Sequence, residues 1–285
     1  MTAPSFETVL YERPEPGIAR VTMNRPDVRN AQNLQMTYDL NAAMDLAMQD
    51  DEVMVVILSG QAPHFSAGHD LRDVPTKQLG KDFPTVSTWG GFKLPGAEGG
   101  YAREQEIYLQ VTRRLRNLSK PTIAQVQGKC IAGGLMLAWA CDLIFASEDA
   151  EFSDPAVTMG NLGVEWFVHP WELGVRKAKE LLFTSDSWSA QEAQSFGMVN
   201  RVFPRASLHD EVLAIARRIA SKPSFALKLS KEAINKSVDL MGQQAAIDQA
   251  FGLHQLAHAH NLLRFNMRID PSGIPAAVKN KPSKA

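Results

Sequence analysis

The stretch TIAQVQGKCIAGGLMLAWACDLIFAS, Thr122 to Ser147, leaves a chain few ways to fold. An apolar strand leads through a glycine turn into an apolar helix over 133–140, and DLIFAS follows as a second short strand. A strand, a helix and a strand in succession suit an α/β fold with largely parallel pairing. Gly133 and Gly134 sit where the helix begins. There the first N–H groups have no intrahelical acceptor and the helix dipole favours negative charge. After Lys129 the next charged side chain is Asp142, well beyond the turn. If this turn belongs to an active site, its acid or base must come from elsewhere.

The flanking chain repeats the alternation. ETVLYER and GIARVTMNR read as a β-hairpin broken at Pro14 and Pro16. NLQMTYDLNAAMDLAMQDD has helical spacing, and VMVVILSG is a continuous apolar strand, so the chain opens ββαβ. A further helix is expected from about Gly100 to Leu118. Strands alternating with helices predict an α/β fold with largely parallel pairing. From about Pro170 the chain turns to helix, which divides it into a core over 1–205 and a helical C-terminal region over 206–285, an oligomerisation or lid element. Residues 75–100, rich in Pro, Gly and Thr, form a long loop expected to order over a ligand.

Composition narrows the function. A chain of 285 residues with 45% hydrophobic and 21% charged content can bury a sizeable core. A net charge of −1 provides no basic field for nucleic acid. No basic leader precedes an apolar run, and no run reaches membrane-spanning length, so a cytoplasmic protein with no membrane partner is expected. Cys130 and Cys141, both in apolar sequence, read as small buried hydrophobes.

A second glycine-bearing turn, HFSAGHDLRDV, follows the strand near 53–59. Two such turns side by side could cradle one oxygen with backbone amides, and a dry apolar setting would strengthen that. By physics alone they are equally well ordinary tight turns between strand and helix. His254 and His258 are i, i+4 neighbours, but no adjacent glutamate completes an H-E-x-x-H pattern, so no metal is assigned.

The blocks FSAGHDL, GKCIAGGLMLAWACDL, FSDPAVTMG and LLFTSDSWSAQEAQSFGMVNRVFP, with the earlier MNRPDVRNAQN, occur in the order and approximate spacing of one family. The chain resembles the enoyl-CoA hydratase/isomerase (crotonase) superfamily over roughly Val9 to Leu240. The resemblance implies a crotonase-like spiral of repeated ββα units, an acyl-CoA substrate with no separate cofactor, and a homotrimer or dimer of trimers. It implies that the backbone amides of His69 and Gly133 bind the thioester oxygen. Ala67, Asp70, Leu71 and Gly134 fall on substrate-binding positions, and Arg29, with Arg72 as a weaker second, near the phosphates of coenzyme A.

Hydratases of this family carry two glutamates, and here those slots hold Met136 and Ala156, neither of which transfers a proton. Glu165 is the first candidate to replace them. Asp154 and His169 follow, the latter able to act as a base near neutral pH. Trp166 and Trp171, with Trp89 or Phe92 from the loop, are candidate walls of an acyl pocket. One carboxylate suffices for double-bond isomerisation or related enolate chemistry. The rival readings are a true hydratase using Glu165 with or without Asp154, and a non-catalytic acyl-CoA binder.

Overall fold

A computed structural model describes residues 5–73, 75–163 and 166–274. Glu165 lies outside the described residues. The hairpin forms from β1 (Val9–Glu15) and β2 (Ile18–Met23), followed by α1 (Leu34–Gln49) and β3 (Val55–Gly60). β1 runs through Pro14 rather than breaking there, and its pairing with β2 slips between Glu12 and Glu15. An edge strand tolerates proline because one of its N–H rows needs no ladder partner.

The helix expected over 100–118 comes in three joined pieces: α2 (Gly96–Glu104), a π-helical segment Gln105–Gln110, and α3 (Val111–Arg116). Next come β4 (Thr122–Val126), β5 (Lys129–Ile131), α4 (Gly133–Ala140), β6 (Leu143–Ser147) and β7 (Glu151–Ser153). Short elements then alternate: α5 (His169–Leu173), α6 (Val175–Thr184), β8 (Trp188–Ser189), α7 (Ala190–Ser195) and β9 (Arg201–Phe203). Three longer helices finish the described chain: α8 (Leu208–Ala220), α9 (Ser224–Leu240) and α10 (Gln243–Phe265).

Six strands pair in the order β1-β2-β3-β4-β6-β9, parallel throughout except for the opening hairpin. A smaller sheet, β5-β7-β8, lies beside it. β4 and β6 enter the large sheet while the strands that follow them, β5 and β7, enter the small one.

The period-two alternation of side chains decides what covers each face. Val55 and Ile57 of β3, with Ile18 and Ile123 from its neighbours, pack against Leu208, Val212, Ile215 and Ala216 of α8. Val56 and Leu58 point the other way, into the main core shared with α1 and α4. The first helix beyond residue 205 therefore completes the sheet's core, so a boundary at 205/206 does not separate two independent cores.

Helix ends are tied by side chains. Asn33 caps α1 by accepting from Met36 N at 2.9 Å. At its other end buried Lys120 donates to the carbonyls of Ala47 (2.8 Å) and Asp50 (2.6 Å), a cation where the dipole is negative.

Asp142, the first acid after the glycine turn, is a structural tie. Its carboxylate accepts from Thr122 N at 2.7 Å and Thr122 Oγ1 at 2.9 Å, and it pairs with Lys231 of α9 at 2.8 Å. Asp142→Ala would leave the buried Lys231 ammonium without its counter-ion, which costs about 3 kcal/mol. Urea unfolding should show that loss, and a midpoint equal to wild type would remove the tie from the account.

Candidate active site

The two glycine turns meet. Ser66 and Cys130 form an isolated parallel bridge, in which Ser66 N donates to Lys129 O at 3.1 Å and Ile131 N to Ser66 O at 2.9 Å. Glycine is required on both sides of this contact. A Cβ on Gly134 would stand 2.6 Å from the carbonyl oxygen of Ser66. One on Gly68, which has φ +82°, would stand 2.8 Å from Ile131 O and 3.1 Å from Gly133 N. Between the glycines Ala132 holds φ 46° and ψ −116°, a conformation L-residues rarely adopt. Strain of this kind persists only where its surroundings enforce it. Here Ala132 N is held by Ser153 O at 2.9 Å and α4 begins at the next residue.

Ser66 and Asn30 set the first turn. The Ser66 hydroxyl donates to Asn30 O at 2.8 Å and accepts from Gly68 N at 3.2 Å. Asn30 Nδ2 donates to the carbonyls of Gln61 and His64, both at 2.8 Å. Neither residue is marked in the sequence, because a serine and an asparagine in a turn carry no pattern that tells a scaffold from a surface.

His69 and Gly133 line one cleft with Gln32, Ile107, Val111 and Leu137, between α1, α3 and α4. Its walls are mostly apolar. The imidazole of His69 rests on the Tyr108 ring, centroids 4.3 Å apart. Burial pushes its pKa down to about 4, the nearby His254 pushes it further down, and Glu104 opposes both. The ring is therefore neutral near pH 7 and adds no positive charge to the cleft.

Around this cradle the other predicted residues divide. Arg29 is exposed, in left-handed conformation (φ 58°), and its carbonyl accepts from Ala67 N at 2.9 Å, so it abuts the first turn. Asp70 accepts from Arg25 at 3.0 Å, an ion pair that pins the turn to the segment after β2. Leu71 is 48% exposed. Arg72 stands beside Asp70 at 4.0 Å.

Asp154, His169 and Met136 converge on Gly163. A Cβ there would be 2.6 Å from Asp154 Oδ2, 3.1 Å from His169 Cε1 and 3.1 Å from Met136 Cε. Asp154 caps the turn Pro155–Met159 through Ala156 N at 3.2 Å, while its Oδ2 meets His169 Nε2 at 2.9 Å. Both residues are at most 3% exposed. The imidazole is flanked by Trp139 and Phe167, with centroids 4.8 and 4.7 Å away, and His169 Nδ1 has no hydrogen-bond partner. An aspartate on one imidazole nitrogen fixes the tautomer and orientation of the ring, as in a general-base pair, while its other nitrogen is buried. Met136, in a slot that resemblance assigned to a glutamate, thus lies against a carboxylate–imidazole pair contributed by two other segments.

Trp166 is 1% exposed in the core and lines a second cleft with Trp139 and Glu172, away from His69. Trp171 stands nearby on α5. In the 75–100 loop, Leu79 and Phe83 pack on Leu34 and Tyr38, with Phe92 against them. Trp89 is 47% exposed and meets Tyr101 edge-on at 4.9 Å. The loop is thus anchored to α1 and α2, and neither Trp89 nor Phe92 lines the cleft of His69 and Gly133.

A model of the family described as enoyl-CoA hydratase/isomerase matches residues 13–89 and 93–267. The chain belongs to the enoyl-CoA hydratase/isomerase family. EchA13 of Mycobacterium tuberculosis, named provisionally as an enoyl-CoA hydratase, is 48% identical over 260 residues, covering 90% of this chain and 82% of that one. A crystal structure from Mycobacterium smegmatis, also provisionally titled an enoyl-CoA hydratase, superposes with a TM-score of 0.83 at 42% identity. It covers 93% of this chain and 100% of that one. A protein named 4-chlorobenzoyl coenzyme A dehalogenase-2, from an Arthrobacter species, is 32% identical over 222 residues, 77% of this chain and 75% of that one. Among the described residues, no helix is long and apolar enough to cross a membrane.

Two predictions test this geometry. Gly134→Ala forces its Cβ onto the Ser66 carbonyl and should cost about 1–3 kcal/mol in thermal or urea unfolding. Unchanged stability would show that the turns do not meet as described. Glu172, whose pKa burial raises to about 7, has its acid favoured by folding. Its stabilising effect is present below the unfolded value of about 4.3 and lost as pH rises through 7. Glu172→Gln should therefore match wild-type stability near pH 4 and exceed it at pH 8. Parallel pH curves would place Glu172 in water.

Proposed function

We propose that the chain acts on an acyl-CoA thioester, with the amides of His69 and Gly133 holding the thioester oxygen and a single carboxylate moving the proton. The observation that carries this reading is the direct contact of the two glycine turns at the head of an apolar cleft. Amides already oriented toward one point stabilise an oxyanion without reorganising as its charge develops.

The chemistry that follows is isomerase-like. A carboxylate takes a proton from the carbon next to the thioester, charge builds on the oxygen between the amides, and the proton returns two carbons further along. No proton is lost and the double bond moves. Ordinary hydration by a paired-glutamate route lacks both groups, since Met136 and Ala156 stand in those slots.

Glu165 is the first proposed base, two residues beyond Gly163 in the chain. A second reading, favoured by the 2.9 Å contact between Asp154 and His169 beside Met136, gives the proton transfer to that pair. Hydration through Glu165 with Asp154, and non-catalytic acyl-CoA binding, are the rivals.

Coenzyme A enters as part of the substrate, with Ala67, Asp70, Leu71 and Gly134 along its path and Arg29 near its phosphates; Trp166, buried in the second cleft, is not part of that path. We propose further that the ββα units build the family's spiral and that α9 and α10 carry contacts of a homotrimer or dimer of trimers in the cytoplasm. Exposed Phe225, Ile234, Leu240 and Leu263 on those helices support that assembly.

A panel of saturated, enoyl, dienoyl and aromatic acyl-CoA thioesters, read by mass spectrometry, tests the reaction. Glu165→Gln should lower turnover of the accepted thioester by roughly 10²–10⁴-fold while leaving coenzyme A binding nearly intact. Full activity in Glu165→Gln with loss in Asp154→Asn would transfer the role to the Asp154–His169 pair. No turnover of any thioester would leave only the binding protein.

A further inference from the structure

Behind the cleft, α2 and α10 bring Glu104, His254 and His258 together. All three side chains are buried, and one ligand atom from each lies within 4.8 Å of the others. The contacts are specific: His254 Nε2 faces Glu104 Oε2 at 3.4 Å, and His258 Nδ1 faces Glu104 Oε1 at 3.1 Å. Sequence pattern alone assigns no metal here because the acid comes from another helix rather than from the residue beside the histidine.

The tautomer of His254 carries the argument. Its Nδ1 lies 2.9 Å from the carbonyl oxygen of Leu162, and a carbonyl can only accept, so Nδ1 holds the proton. That leaves Nε2 facing a carboxylate oxygen at 3.4 Å, a contact that a proton or a metal ion between the two atoms makes favourable. A single divalent ion serves both nitrogens at once.

We propose that Glu104, His254 and His258 form a binding site for a divalent transition metal, with Zn²⁺ as the best fit. Two imidazoles and a carboxylate are a common zinc donor set, and bonds of about 2.0–2.1 Å in a tetrahedron put donor atoms about 3.4 Å apart. The two nitrogens lie 3.4 and 3.1 Å from the two oxygens of one carboxylate, and one ligand atom from each residue falls within 4.8 Å of the others, a span a single ion can bridge. The site also has the supporting contacts that metal ligands need. His254 donates its other nitrogen to a backbone carbonyl, and the Glu104 carboxylate accepts from Arg268 (2.5 Å) and Gln255 (2.6 Å). Through Leu162 the ion would tie α2 and α10 to the loop that leads into Gly163. The inference stands whichever acyl reaction the cleft performs.

The test uses the full chain, stripped with chelator and titrated with Zn²⁺ by calorimetry, with Co²⁺ as a spectroscopic probe. One equivalent of Zn²⁺ should bind and raise the melting temperature, and Co²⁺ should develop the intense visible bands of a tetrahedral site. His254→Ala and His258→Ala should each weaken binding by more than about 100-fold, whereas His260→Ala, on the exposed side of α10, should change nothing. Absence of binding in the wild type overturns the proposal. So does binding that survives both alanine variants or is lost with His260→Ala. The wild-type Zn²⁺ titration decides the matter even if a variant fails to fold, because a full chain that takes up no stoichiometric equivalent has no such site.

Discussion

The structure depends on a close approach between two backbones. The turn after β3 and the turn before α4 touch because Gly68 and Gly134 have no Cβ, and any side chain there would fall within 3 Å of a carbonyl oxygen. The Ser66–Cys130 bridge locks the contact, and the strained Ala132 follows from it. The parallel pairing of β3 with β4 puts both turns at the same end of the sheet. The cleft lined by His69 and Gly133 follows from that one approach.

What surrounds the cradle is a problem in burying charge. Asp154 and His169 are both out of water, and each makes the other's burial tolerable while also capping a turn and packing against Trp139. Lys231, buried between β4 and α9, is paired by Asp142, an acid that solvent still reaches and that ties structure together. The two pairs look alike in sequence, as acids near apolar runs. Their surroundings separate them: one stands beside Met136 with an imidazole nitrogen unpartnered, the other gathers a strand amide, a hydroxyl and a lysine on its Oδ2.

Much of the fold was legible because local pattern and tertiary need agree. Continuous apolar runs became the parallel strands β3, β4 and β6, and the glycine pair began α4 where expected. Departures came where tertiary contacts overrode local signals. Pro14 stayed in β1 because that strand is an edge, and the helix before β4 acquired a π-helical segment that periodicity does not announce. The long loop read as irregular, as it is through residue 95, but its Leu79 and Phe83 anchor on Leu34 and Tyr38. Nothing in a Pro- and Gly-rich composition shows which of its few apolar residues will find partners.

The sequence by itself determined the alternation of strand and helix and the positions where backbone must approach backbone. Those follow from local chemistry, since glycine is informative by what it lacks. Only the tertiary structure decided which distant groups meet. Asp154 found His169, Asp142 found Lys231, and Glu104 found His254 and His258 from a helix about 150 residues further along. Electrostatic partners are set by packing across the chain, and sequence spacing carries no record of that distance.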